Sequence, residues 1–199
     1  MPTKALTDEA ERARLLEAGH AVLTRQGYEG LRVDDVLREA ELGTRAFYRH
    51  FEGKSALFLA LFTDEVTRST DRLRGVVDAT ATPTDRVRAW IGAVLDLGFD
   101  PRLAERARGF MAERARLEAE YPDEVADCLG DQRAPLVEAI NAGVADGSFP
   151  AAEPAADALA IQHLCLGLLG DQLSGSGRLS RPEAIELAER FALLALVRP

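Results

Sequence analysis

The stretch Val33-Asp34-Asp35-Val36-Leu37-Arg38-Glu39-Ala40-Glu41-Leu42-Gly43-Thr44-Arg45-Ala46-Phe47-Tyr48-Arg49-His50-Phe51-Glu52-Gly53-Lys54 decides the fold. Two runs of under ten residues with helical spacing, about 33–40 and 44–51, flank the link Glu41-Leu42-Gly43-Thr44. That is the sequence form of a helix-turn-helix. In the first run Val36 and Leu37 point inward. In the second, at about 100° per residue, Thr44, Tyr48, Arg45 and Arg49 fill one arc of roughly 140°. Phe47 and Phe51, at i and i+4, lie on the other side as inward anchors. A hydroxyl, a phenol and two guanidiniums on one face offer donors for base edges and phosphates. The same arc would also serve as an ordinary solvated face.

Outward from this stretch the chain continues to read as helix. A run from about Asp8 to Gln26 carries Leu15, Ala18, Gly19, Val22 and Leu23 on one stripe, with Thr7 as N-cap and Gly27 as a left-handed terminator. A long helix begins near Lys54 and runs to about Val77, burying Leu57, Leu61 and Val66. Breaks at Ala81-Thr82-Pro83, Asp100-Pro101, Tyr121-Pro122, Gly147-Ser148-Phe149-Pro150 and Ser174-Gly175-Ser176-Gly177 then separate helices over 85–98, 102–119, 123–145, 154–173 and 182–197. No stretch shows sustained apolar/polar alternation, so strands have no support. The spacing predicts an all-α chain of about nine helices. A three-helix head over residues 1–53 is followed by a larger helical part over 54–199.

Composition sets the outer limits. The 199 residues are 47% hydrophobic and 29% charged, enough to bury a core, with a net charge of −9. That charge is uneven: residues 1–54 are close to neutral, with nine cations against ten anions, and the rest is strongly acidic. Only a local gathering of cations would therefore attract nucleic acid. Cys128 and Cys165 make no disulfide scaffold, and no leader sequence is legible; both suit a reducing cytoplasm. The longest apolar runs, such as Leu164 to Gly170, are too short to span a bilayer, so no membrane segment is expected.

Several separated motifs resemble one family. Leu15-Leu16-Glu17-Ala18, Gly27-Tyr28-Glu29-Gly30, Val33-Asp34-Asp35-Val36 and Ala46-Phe47-Tyr48-Arg49-His50-Phe51-Glu52-Gly53-Lys54-Ser55-Ala56-Leu57 occur in the order and spacing of the TetR family of bacterial transcriptional regulators. The resemblance covers roughly residues 10–62. It implies base contacts from Thr44 and Arg45, where Arg45 would be bidentate to guanine O6/N7. It implies phosphate contacts from Tyr48 and His50, and from Lys54 together with the free N–H groups of the helix it opens. Arg32 is a further phosphate candidate, and Arg49 shares the polar arc. Three positions depart from the pattern: Glu41 stands where the family commonly has Gly, Gly43 where it has Ser or Thr, and Arg32 where it favours Thr.

Competing chemistry fails on the same residues. Gly53-Lys54-Ser55 ends like a P-loop, but Tyr48 stands where its first glycine is needed. Gly175-Ser176-Gly177 lacks a third glycine, a preceding strand and an acidic partner. His163 and Cys165, two apart on a helix, diverge, and three histidines with two cysteines make no zinc set. No nucleophile–base motif is present. No catalytic residue, metal or cofactor is expected, and the chain is not read as an enzyme.

For residues 54–199 the resemblance implies a pocket for a small, largely apolar effector. The residues nominated for it are Phe62, Trp90, Val94, Phe110, Met111, Arg114, Gln162 and His163. The last two helices are apolar on more than one face, from Ala158 to Leu169 and from Phe191 to Val197. A face left in water marks an interface, and the simplest solution is a two-fold homodimer built as a four-helix bundle. Two recognition helices so related require a near-palindromic site on double-stranded DNA. Two other classes stay open on sequence alone: a ligand carrier or enzyme with a vestigial head, and a module whose third helix binds protein.

Overall fold

The computed structural model describes residues 7–197, and Lys4, one of the head's cations, lies outside them. Among the described residues there are ten helices and no strand: α1 Asp8–Gly30, α2 Val33–Ala40, α3 Thr44–His50, α4 Lys54–Asp78, α5 Pro83–Phe99, α6 Pro101–Ala112, α7 Arg114–Glu120, α8 Pro122–Asp146, α9 Pro154–Ser174 and α10 Arg181–Val197. The all-α expectation holds, with one helix more than the nine expected.

Local chemistry explains most boundaries. Thr7 Oγ1 accepts from the Ala10 N–H at 3.2 Å and opens α1. Gly27 takes φ 67°, and the three residues after it form one more turn rather than a continuation of the stripe. Pro83, Pro101, Pro122 and Pro154 each sit in the first turn of a helix, where a missing N–H loses nothing. Pro83, Pro101 and Pro122, read as breaks, are therefore starts, as Pro154 was expected to be. The extra helix arises at Glu113 (φ −104°, ψ 8°), which divides the expected 102–119 run into α6 and α7. No glycine or proline marks that step. Phe110 and Leu117, on either side of the step, are both buried in the first core.

Two large cores organise the molecule, with a smaller cluster of Ala104, Leu166, Leu169 and Leu173 between α6 and α9. The first joins Leu15, Val22, Val36 and Phe47 of the head to Leu57, Phe58 and Leu61 on the first half of α4, and reaches Phe110, Leu117 and Val125. The second surrounds α5, which packs against α4, α6, α8, α9 and α10. The side chains of Val87, Trp90, Ile91, Val94 and Leu95 are wholly buried there. Helix α4 belongs to both cores, so the head is continuous with the body through it. One burial escaped the sequence: Phe149, after the Gly147 turn at φ 81°, folds back to 0% exposure over Gly143. A Cβ on Gly143 would lie 2.0 Å from the Phe149 ring, so that close approach needs glycine.

Candidate nucleic-acid interface and effector cavity

The turn between α2 and α3 is closed by backbone. Glu41 adopts the left-handed conformation (φ 52°, ψ 41°), and the Leu42 N–H donates to the Leu37 carbonyl at 3.1 Å, as in a Schellman cap. A glutamate is strained there, and its exposed pair with Arg14 at 3.3 Å compensates weakly. Glu41→Gly is therefore expected to raise stability by about 0.5–1 kcal/mol, read as a higher midpoint in chemical denaturation. A lower midpoint would show that the Arg14 pair outweighs the backbone strain.

Helix α3 is pinned from behind. Phe47 is 0% exposed and Phe51 5%, whereas Tyr48 is 60% exposed with its ring edge-on to Phe47 at 5.3 Å. Thr44 and Arg45 are exposed beside it. Two residues nominated with them lie elsewhere. Arg49, at the trailing edge of the arc, donates through Nη1 to Asp8 Oδ1 at 3.0 Å and Glu11 Oε2 at 2.7 Å, bracing α3 against α1. His50 is turned inward. Its side chain is 10% exposed, with Nε2 3.5 Å from Glu11 Oε2 and no hydrogen bond. The reason is angular: His50 follows Phe47 by three residues, so it sits only about 60° from the anchor. Asp8, Glu11 and His50 bring ligand atoms within 4.8 Å of one another, but the Arg49 guanidinium already occupies both carboxylates.

Charge is sorted across the head. Arg14, Arg25, Arg38 and Arg49 are each paired with a carboxylate. Among the described residues, Arg32, Arg45 and Lys54 make no ion pair. Arg32 precedes α2 and is exposed. Lys54 opens α4 with Nζ 4.0 Å above the Tyr28 ring, and Gly53 offers that helix no side-chain cap. The first N–H groups of α4 are thus free to bind an anion beside the ammonium. Arg12 is a cation the sequence did not single out. It lies 5.8 Å over the Phe51 ring, next to α3, and only the packing of α1 on α3 reveals it.

The body holds a small apolar cavity of about 70 Å³. Phe62, Phe110, Met111 and Arg114 line it as nominated, and Gln162 and His163 line an adjoining cleft that shares Arg114. Trp90 and Val94 do not line it: both are 0% exposed in the second core, where Trp90 Nε1 donates to the Gln132 carbonyl at 3.1 Å. An apolar stripe identifies burial without saying whether protein or a cavity covers it. The polar residues of the wall, Glu65, Ser69 and Gln132, were missed. Their signal was the placing of Glu65 and Ser69 on the stripe of Phe62 and Val66. Glu65 Oε2 accepts from Arg106 Nε at 2.9 Å, which neutralises the buried carboxylate. His20 links head to body through Asp64 at 2.8 Å, and its burial holds its pKa below the usual histidine value.

Cys165 is fully buried, and desolvation pushes its pKa up to about 12, so it stays an unreactive thiol at neutral pH. On α9 and α10, Leu159, Phe191, Leu194 and Val197 are each more than two-fifths exposed, while Ala184, Ala188, Ala192 and Leu196 face inward. No helix among the described residues is long and apolar enough to cross a membrane.

Residues 15–61 match the family model of bacterial regulatory proteins, tetR family. An HTH-type transcriptional repressor, DhaR, of Mycobacterium sp. (strain GP1) is 31% identical over 88 residues, 43% of this chain and 43% of that protein. The match thus spans less than half of the curated relative's length. Among solved structures, the fatty acid degradation regulator FadR from Bacillus halodurans aligns with a TM-score of 0.74 at 15% identity, over 98% of this chain and 100% of that one. FadR from Bacillus subtilis in complex with stearoyl-CoA aligns with a TM-score of 0.69 at 14% identity, over 92% and 97%. The reduced form of E. coli NemR aligns with a TM-score of 0.69 at 22% identity, over 95% and 99%. At such identities these structures establish the fold, while the head carries the kinship in sequence. Residues 15–61 thus carry a helix-turn-helix head of the tetR family of bacterial regulatory proteins, on a chain that shares its fold along nearly its whole length with these solved regulators.

Proposed function

We propose that this chain is a transcriptional repressor that binds a near-palindromic operator on double-stranded DNA as a homodimer and is released by a small, largely apolar effector. Residues 1–53 form the DNA-binding head and residues 54–199 the effector-binding and dimerisation part. One observation carries the reading: Thr44, Arg45 and Tyr48 are held outward by buried Phe47, on a head whose unpaired cations include Arg32, Arg45 and Lys54. Thr44 and Arg45 read bases, and Tyr48, Lys54 and Arg32 hold phosphates. Arg49 and His50 serve the same surface from behind, by fixing α3 to α1. The exposed Leu159, Phe191, Leu194 and Val197 support pairing of α9 and α10 with a second copy. The repressor name of the Mycobacterium relative supports repression rather than activation, and the stearoyl-CoA bound to a structural neighbour supports a ligand-taking body. No enzyme activity or cofactor is assigned, and the working place is the cytoplasm.

Helix α4 is the mechanical link. Phe62, Glu65, Val66 and Ser69 wall the cavity, and Lys54 lies about 12 Å back along the same helix at 1.5 Å per residue. A ligand that prefers a shifted α4 moves Lys54 and splays the two heads, coupling the sites through its differential affinity. Fluorescence anisotropy on selected operator DNA tests this. Binding should fall steeply with salt and fall again when effector saturates the protein. Effector-saturated protein that held operator as tightly as free protein would contradict it.

A further inference from the structure

The apolar cavity has a polar vestibule. Arg114, Leu129 and Leu166 line both the cavity and an adjoining cleft that ends at Arg133, Gln162 and His163. In the cleft, Arg133 donates through Nη1 to Gln162 Oε1 at 2.6 Å. Gln162 Nε2 in turn donates to the Leu129 carbonyl at 2.9 Å and to Gln132 Oε1 at 3.4 Å, and Gln132 Nε2 reaches Ser69 Oγ at 3.5 Å. Gln162 and Gln132 are 1% and 4% exposed, so a buried ladder of amides runs from the cavity wall to the vestibule. Its outer end is a guanidinium with a neutral partner. Among the described residues no carboxylate pairs with Arg133, whereas Arg114 is paired with Glu118 and the cavity's own Glu65 with Arg106.

Such an arginine keeps its full charge and its remaining donors, in a fork suited to a planar or tetrahedral anion. The cavity behind it is carbon-lined and its one carboxylate is neutralised, so it does not repel an anionic ligand. The cavity itself is small, about 70 Å³, and it adjoins the cleft of about 260 Å³ through their shared wall. Building on the effector reading above, we propose that the ligand is an amphiphilic anion. Its apolar body lies between α4, α6 and α9, and its head group is held by Arg133 beside Arg114.

Isothermal titration of the full chain with decanoate, decanol and decyltrimethylammonium tests this, since the three share a tail and differ in head charge. Decanoate should bind at least about tenfold more tightly than either of the others, the worth of one charge-assisted hydrogen-bonded contact. Arg133→Gln should remove most of that advantage, bringing decanoate close to decanol, whose binding to the variant reports an intact cavity. Should Arg133→Gln fail to bind decanol, Arg133→Lys takes its place and must keep the anion ahead of the alcohol. Equal binding of the three ligands, or an advantage that survives Arg133→Gln, overturns the head-group assignment and leaves the cavity as an effector site. Binding of none of them to the unaltered chain overturns both.

Discussion

Phe47→Ala is expected to lower the unfolding free energy by about 3–5 kcal/mol and to abolish retention on operator DNA. Phe47 is 0% exposed, and its ring touches both Tyr48 and Phe51, so it ties a seven-residue helix to the core shared by α1, α2 and α4. A helix that short has no stability of its own. Without the anchor, the polar face loses its orientation before it loses any donor. Tyr48→Ala provides the contrast: it removes an exposed ring, should change stability by less than about 0.5 kcal/mol, and should still weaken DNA binding. Denaturant unfolding followed by circular dichroism, alongside DNA retention, measures both. A Phe47→Ala protein within about 1 kcal/mol of the parent would mean that α3 is held by something other than this ring.

Arg45→Ala and Lys54→Ala should separate base reading from phosphate holding. Arg45→Ala should cost about 1–3 kcal/mol of operator affinity and relax discrimination at one base pair. Lys54→Ala should weaken binding to all sequences alike and reduce the slope of log affinity against log salt by roughly one. Because Lys54 also lies over Tyr28, the unfolding midpoint of that variant should accompany the binding curve. Arg49→Ala is the control within the same arc. Its guanidinium is engaged by Asp8 and Glu11, so it should affect operator affinity less than Arg45→Ala does. Equal sequence-specific losses for Arg45→Ala and Lys54→Ala would overturn the division of roles.

What was legible in the sequence was what periodicity and local backbone chemistry determine. The stripe Leu15, Ala18, Gly19, Val22 and Leu23 is buried throughout, Gly27 is left-handed, and Phe47 and Phe51 face inward. What was not legible depends on neighbours brought in from far along the chain. Arg49 and His50 look like part of an outward face until α1 supplies Asp8 and Glu11 some forty residues away. Trp90 and Val94 look like pocket walls until α8, α9 and α10 close around α5. The break at Glu113 carries no glycine or proline to mark it in the sequence. The sorting of paired and unpaired arginines on the head is likewise a tertiary fact, and it narrows the candidate contacts more than the wheel alone did.

Selection of bound fragments from a random DNA pool, with the full chain at physiological salt, tests the paired-head reading most directly. The expected result is one enriched sequence, its two halves related by a near-perfect inversion, with centres separated by about one helical turn or a whole multiple of it. A pool that emerges unenriched, or that converges on a single unrepeated half, would contradict the claim that α3 is offered to DNA twice by one assembly.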